Sequence, residues 1–276
     1  MSYINAIRWH LYQMISIEKL FIFLILIFPM QLLNASHLKS VLVENHIAVN
    51  FSIVAFSFQE PLFPMVLLLA SLIFGASLPH HYADHPLVYL RTGRKVWASS
   101  QLLAILLMSV FMTMLLVLVI ILSYYPYISF KNDWGAIIQS LTRNNRATWS
   151  LNLPFTSNQA LFNTSSPLAL TSATAFILFL IFLLSNLLNA SLNLIRPLLG
   201  IYANGILFLL GALDLLGNLS VRFISPLYWL NPDRFNWGRS NQAPSISYAI
   251  GFLLVLNCLL AAFYLYDQVY PRRDPA

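Results

Sequence analysis

The chain has 276 residues, of which 59% are hydrophobic and only 9% are charged, and its formal net charge is +6. Several separate apolar runs with so few charges exclude a soluble globular protein and predict a helical membrane protein with several spans. The basic residues are scattered among loops and helix ends, where topology and anionic lipid headgroups explain them, so we expect no nucleic-acid partner. The single cysteine, Cys258, excludes an intrachain disulfide and a cysteine-based metal site.

The N-terminal residues have the pattern of an amphipathic helix. The apolar side chains between residues 3 and 15 share one arc of a 3.6-residue helix: Ile4, Ile7, Leu11, Met14 and Ile15. We expect this helix, 3–15, to lie at the membrane interface. The first span follows at about 16–34, with Lys19 reaching back to the interface.

Two polar segments and five further apolar runs follow. The segment 35–61 contains an apolar patch, Ile47–Phe58, which is too short to cross a bilayer and is interpreted as a surface helix or an extension of the next span. The segment 126–167 is rich in Asn, Ser and Thr and indicates a loop. Ser166 and Pro167 supply an N-cap and a first-turn proline for a helix. The remaining spans are predicted at about 62–78, 99–125, 167–194, 198–216 and 247–266.

The stretch 79–98 is a polar, basic segment between two of these spans. Asp84 can cap a short helix that Gly93 can close. We expect such a helix to lie along the membrane surface, with its apolar residues toward the bilayer and its basic ones toward water or lipid phosphate. The residues concerned are Leu87, Val88, Leu90, Arg91, Arg94 and Lys95. The same residues are equally compatible with a solvated connector whose charges only fix topology.

Six spans place both termini on one side of the membrane. The short segments on that side carry basic residues at a higher density than the longer loops opposite. This bias predicts cytoplasmic termini, with Trp97 and Pro271 inside and Gln139 and Arg239 outside.

Motifs for chemistry are scarce. The sequence has no phosphate loop, no nucleophile turn and no paired histidine–glutamate zinc motif, so it predicts a non-enzyme that does not hydrolyse ATP. His80, His81 and His85 occur close together, but loop histidines without a neighbouring cysteine or carboxylate pair are more often polar interface residues than metal ligands. Asp214 near the end of the fifth run is interpreted as a solvated residue rather than a proton relay.

One polar row lies inside an apolar run. Asn186, Asn189 and Asn193 are spaced i, i+3 and i+7 and therefore share one face of a helix, where amides facing lipid would be costly. We expect them to face protein or a watery cavity. Hydrogen bonding to neighbouring helices is the more ordinary role, and lining a substrate pathway is the alternative.

The segment 217–246 crowds aromatic residues among prolines. Pro226 and Pro232 break any continuous helix, and irregular backbone at membrane depth must be covered by protein or water. We therefore expect Phe223 to Trp237 to fold back into the bundle as short helical pieces.

Taken together, these features resemble the membrane subunit of type-2 ATP-binding-cassette exporters. The local motifs are YLRTGRKVW, from Tyr89 to Trp97, and SPLYWLNP, which includes Pro226, Trp229, Asn231 and Pro232. The resemblance implies an all-α permease of six spans with a coupling helix, whose residues here are Asp84, Leu87, Tyr89, Leu90, Arg91, Arg94 and Lys95. It implies that the outer segment is a re-entrant pair of short helices.

The resemblance also implies the partners. They are an ATPase subunit that binds ATP and Mg, a second permease subunit and membrane lipids, with no cofactor on this chain. Two other classes stay open. A secondary transporter would need an intramembrane carboxylate, for which Asp214 is the candidate. A membrane scaffold or immunity protein would use the same loop to bind a partner without moving a substrate.

Overall fold

A computed structural model of the chain describes residues 3–60, 62–79, 93–135, 137–139, 161–162, 165–215, 221–237 and 243–270. The described part is mostly helical. Its principal helices are α1 (Tyr3–Met14), α2 (Ile17–Asn45), α3 (Ile53–Phe56), α4 (Leu62–Gly75), α5 (Arg94–Ser123), α6 (Pro167–Leu192), α7 (Leu199–Leu215) and α8 (Ile246–Val269). Short 3-10 helices occupy Ser57–Gln59, Pro226–Leu230 and Pro232–Arg234.

Four of the described helices, α2, α5, α6 and α8, are long and apolar enough to cross a membrane. A fifth span results if the segments Ile53–Gln59 and Leu62–Gly75, which are bent by 96° relative to each other, are one broken crossing. Helix α7 is apolar but has 17 residues, fewer than a full crossing usually needs. These helices fit a membrane-embedded protein, and the six-span arrangement stays a prediction.

Serine caps fix where three of the four long helices, α2, α6 and α8, begin. The Ser166 hydroxyl accepts from the Ala169 N–H at 3.2 Å, and Pro167 occupies the first turn, as the sequence predicts. Ser16 caps α2 in the same way by accepting from the Lys19 N–H at 3.2 Å. Ser245 caps α8 through the Tyr248 N–H at 3.1 Å.

Helix α2 extends well beyond the predicted end of the first span at residue 34. Its continuation to Asn45 buries Ala35, Leu38 and Leu42, which follow one another at helical spacing. His46 then ends the helix in a left-handed conformation with φ of 52°. The predicted polar loop 35–61 is thus helical over its first part, because these three side chains give it a face to pack on the bundle.

Most of the apolar patch Ile47–Phe58 is buried, so it is not a surface helix, although Ile47 itself is 39% exposed. The other predicted alternative, an extension of the next span, corresponds to the broken crossing of Ile53–Gln59 with Leu62–Gly75. Val49–Asn50 forms a strand, β1, that pairs in parallel with β2, Ile128–Ser129. Ile53, Phe56 and Phe58 are then fully buried or nearly so. The patch is too short to span a bilayer, and burying its large side chains against α6 and α5 removes them from water instead.

Helix α6 is the central element of the bundle. It packs against α4, α5, α7 and α8, and half of its most apolar window is buried. Helix α1 packs against the start of α5, where its His10 ring lies 4.6 Å from the Trp97 ring. The buried face of α1 is Ala6, His10 and Met14, whereas Ile4 of the predicted apolar arc is 73% exposed.

The third span begins earlier than predicted. Arg94 and Lys95, assigned to the coupling stretch, form the first turn of α5, and Gly93 precedes them with φ of 76°. A positive φ of this kind strains residues with a Cβ, so glycine suits the position. Part of the stretch 79–98 is therefore continuous with a spanning helix, and residues 80–92 lie outside the described part.

Candidate functional site

The most polar site within the described bundle is built around the predicted asparagine row. Asn186 and Asn189 of α6 are buried, and α7 adds a third buried amide, Asn204. Together with the half-buried Asn193, these four residues form what we call the asparagine seam. The seam lies where α6 meets α4, α5 and α7, so its amides face protein and not the surrounding apolar surface.

Asn193 connects two chain segments at one end of the seam. Its Nδ2 donates to the Leu78 carbonyl at 2.8 Å, just after α4. Its Oδ1 accepts from the Gly200 N–H at 2.9 Å, at the start of α7. A single amide thus satisfies backbone groups at the ends of two helices, where intrahelical partners are lacking.

Asn204 is a seam residue that the sequence analysis did not identify. Its Nδ2 lies 3.2 Å from Asn189 Oδ1, 3.1 Å from the Ser185 carbonyl and 2.9 Å from the Gly200 carbonyl. The signal was present, because Asn204 is the one amide in the apolar run that forms α7. A buried amide in an apolar helix needs a hydrogen-bond partner for the same reason as the row in α6.

Two glycines allow the helices to approach the seam closely. A Cβ on Gly75 would stand 2.6 Å from Asn189 Nδ2 and 2.7 Å from Asn186 Oδ1. A Cβ on Gly200 would stand 2.5 Å from the Asn189 Cα. Small residues at such contacts permit close backbone packing between membrane helices. Neither glycine was singled out from the sequence, because only the fold shows what lies opposite.

Three polar atoms of the seam have no hydrogen-bond partner among the described residues. They are Asn186 Oδ1, Asn189 Nδ2 and Asn204 Oδ1, and each is shielded from solvent. Leaving a buried amide group unsatisfied costs about 1–3 kcal/mol. Asn186 Oδ1 and Asn189 Nδ2 therefore offer one acceptor and one donor to a polar group that enters between α4 and α6, and the unsatisfied groups make the fold less stable.

The predicted coupling residues are only partly visible. Asp84, Leu87, Tyr89, Leu90 and Arg91 lie outside the described residues, as do His80, His81 and His85. Arg94 and Lys95 are exposed in the first turn of α5. Trp97, one turn further, is 1% exposed and contacts the rings of Trp9 and His10.

The described part of the outer segment packs on the bundle as two 3-10 helices. Trp229 is fully buried, and its Nε1 donates to the Arg222 carbonyl at 2.9 Å. Asn231 caps the second 3-10 helix by accepting from the Asp233 N–H at 3.0 Å. Pro226 and Pro232 each begin one of the two helices and are buried. Residues 226–230 contact α7, α6, α8 and α4.

A hydrogen bond ties this outer segment to the buried patch. Gln59 Nε2 donates to Asp233 Oδ2 at 2.8 Å. The Arg234 guanidinium lies 4.9 Å above the Tyr228 ring, which is the geometry of a cation–π contact. The Gln59–Asp233 bond thus joins the two irregular parts of the chain, and the Arg234–Tyr228 contact lies within the outer segment.

Within the described residues there is no group of three or more His, Cys, Asp or Glu side chains that could hold a metal ion. Comparison with protein-family models, with curated proteins and with solved structures found no match. The site must therefore be interpreted from its own chemistry.

Proposed function

We propose that this protein is the permease subunit of an ATP-driven exporter. In this proposal the chain spans the cell membrane six times with both termini in the cytoplasm. It dimerises with a second permease subunit, and a separate ATPase subunit supplies the ATP- and Mg-dependent step. The resemblance of the sequence motifs supports the assignment, and so do the long apolar helices.

The observation that carries the proposal is the link between the predicted coupling stretch and the asparagine seam. Leu78 immediately precedes the stretch 79–98, and its carbonyl accepts from Asn193 of the seam at 2.8 Å. The other end of the stretch continues into the first turn of α5. Further along the same helix, the Ser109 hydroxyl accepts from Asn186 Nδ2 at 3.4 Å. A movement of the stretch would thus reach the seam directly at Leu78 and, from its other end, along α5.

The seam itself supports a transport role. Polar groups buried among membrane helices are costly and commonly mark functional pathways. Here three amide atoms have no hydrogen-bond partner in the part of the chain that the structure describes. Moving α4 away from α6 would expose Asn186 Oδ1 and Asn189 Nδ2, which Gly75 now covers, to water or to a polar substrate. The unpaired amides lower the cost of such an opening, because the open state can satisfy them.

The docking of a motor subunit can be tested on the coupling stretch. We expect Leu87→Asp with Tyr89→Asp to leave the protein inserted but to reduce co-purification with the ATPase and transport-stimulated hydrolysis. A coupling free energy of about 1–3 kcal/mol between sites is typical and would be measurable as a change in rate. Charge reversal of Arg91 and Arg94 should have a smaller effect, because salt screens exposed charges.

Leu198→Asp is the matched control. Leu198 is 54% exposed in the turn between α6 and α7, which the proposed topology puts on the same side of the membrane. Its φ of 70° is tolerated better by Asp than by Leu, so folding should be preserved. If the Leu87 and Tyr89 substitutions change neither association nor hydrolysis while topology is intact, the stretch is a connector and the scaffold alternative is favoured.

A further inference from the structure

An apolar groove runs along the outer junction of α5 and α6. It is an open groove with a volume of about 670 Å³, within the range of roughly 300–1,000 Å³ that ligand sites occupy. One wall is formed by α5 from Val110 to Ile121, and the other by α6 from Ser172 to Phe179. Ser172 and Ala175 are small residues of the α6 wall, and Met114 and Leu118 are larger side chains of the α5 wall.

The side chains that line the groove do not need hydrogen bonds from an occupant. Its two hydroxyl-bearing residues already donate to their own helices, Thr113 Oγ1 to the Ser109 carbonyl at 2.9 Å and Ser172 Oγ to the Ala169 carbonyl at 3.1 Å. The other side chains that line the groove are apolar. Among them, Met114, Leu118 and Phe176 are 68%, 51% and 41% exposed. Both helices are long and apolar enough to cross a membrane, so the groove opens toward hydrocarbon.

The shape of the groove fits an extended chain that starts at a membrane surface. From Val110 to Ile121 the wall is about 16 Å long at a rise of about 1.5 Å per residue. Ser172 lies close to the N-terminus of α6, where the Leu168 N–H donates to Asn132 Oδ1 at 3.3 Å. The exposed Lys131 and Asp133 flank Asn132. One end of the groove is therefore at a polar surface with charges of both signs.

We propose that this groove binds one acyl chain of a membrane phospholipid in preference to the surrounding bilayer lipid. Transfer from bilayer to groove removes no apolar surface from water, so the affinity comes from close packing against fixed walls. Because both signs of charge stand at the polar end, the preference is for chain length and not for a particular headgroup. The proposal depends on the chain being embedded in a membrane and not on its being an exporter.

The test is native mass spectrometry of the full chain purified in mild detergent with added phosphatidylcholine of defined chain length. We expect a one-to-one lipid complex whose abundance rises with chain length until the groove is filled. Ala175→Phe fills the groove floor and should lower the bound fraction about tenfold, the change expected from losing on the order of ten close carbon contacts. Ala262→Phe is the control, because Ala262 is exposed on α8 away from the groove.

Several outcomes would overturn the proposal. One is a wild-type chain that retains no lipid under conditions where the detergent-solubilised protein stays folded. Another is equal lipid loss in the Ala175→Phe and Ala262→Phe variants. Loss of a dimer in Ala175→Phe, with lipid retention unchanged, would show that a second copy of the chain covers the groove. Melting temperatures of both variants, measured in parallel, separate these outcomes from a folding defect.

Discussion

Gly75 lies so close to Asn189 that a Cβ added to the glycine would stand 2.6 Å from the amide nitrogen. The same Cβ would stand 2.7 Å from Asn186 Oδ1. At this point of the contact between α4 and α6, the Gly75 backbone packs directly against two buried amides. A closed seam of this kind depends on the absence of a side chain at one position.

The first prediction concerns that contact. Gly75→Ala should destabilise the protein by about 1–3 kcal/mol, because the added methyl overpacks the site and displaces two amides whose other atoms bond to Ser109 and Asn204. Gly205→Ala is the control, since nothing lies within 4 Å of a Cβ at Gly205 in α7. That substitution should be neutral or stabilising by up to about 1 kcal/mol through helix propensity. Equilibrium unfolding in denaturing detergent compares the two, and equal effects would contradict the described packing.

The second prediction concerns the bond between Asn189 Oδ1 and Asn204 Nδ2, which are 3.2 Å apart. Asn189→Ala and Asn204→Ala should each destabilise the protein, and the double variant should cost less than their sum by about 0.5–1.5 kcal/mol. Asn204→Ala combined with Asn257→Ala is the control pair. Asn257 bonds to the Leu180 carbonyl and shares no partner with Asn204, so those effects should add. Additivity in the first pair would exclude a direct bond.

The third prediction concerns the attachment of α1. Trp97 is 1% exposed, and the centre of its ring lies 4.6 Å from the centre of the His10 ring and 5.2 Å from that of the Trp9 ring. Trp97→Ala should cost about 3–5 kcal/mol and release α1 from α5. Hydrogen exchange of the α1 amides should accelerate in Trp97→Ala and much less in Trp97→Phe, which keeps an aromatic ring. Unchanged exchange in the alanine variant would mean that α1 is held mainly by other contacts.

The fourth prediction concerns the outer segment. In a chain whose exposed Cys258 is replaced by serine, a cysteine at Leu230 should react slowly with a maleimide, because Leu230 is 0% exposed. A cysteine at Phe223, which is 40% exposed, is the internal control and should react rapidly. Comparable rates at the two positions would show that residues 226–230 do not pack into the bundle in the membrane.

The fifth prediction concerns topology. Trp97 is unsuitable as a labelling site because it is buried, and the exposed Lys95 replaces it. In the same cysteine-free background, a membrane-impermeant reagent should label Gln139→Cys in intact cells. Lys95→Cys should be labelled only after permeabilisation, as the density of basic residues predicts. External labelling at position 95 would reverse the orientation of the whole chain and remove the proposed docking of a cytoplasmic ATPase.

The sequence by itself determined the long apolar helices that fit a membrane-embedded protein, the beginnings of several helices and the common face of Asn186, Asn189 and Asn193. These features depend on local rules: an apolar run long enough for a bilayer, a serine that caps the next turn, and the 3.6-residue period of a helix. The cap at Ser166 was predicted for that reason, and the hydrogen bond to the Ala169 N–H is present.

Only the tertiary structure decided what each face meets. The asparagine row of α6 meets Gly75 of α4 and Gly200 and Asn204 of α7. The order of these helices along the chain does not show which of them pack against α6. The pairing of β1 with β2, about eighty residues away, and the burial of Ile53 and Phe56 against α5 and α6 are likewise contacts between distant segments. Such contacts are non-local, because they form only when whole helices have packed, and no pattern within one segment encodes them.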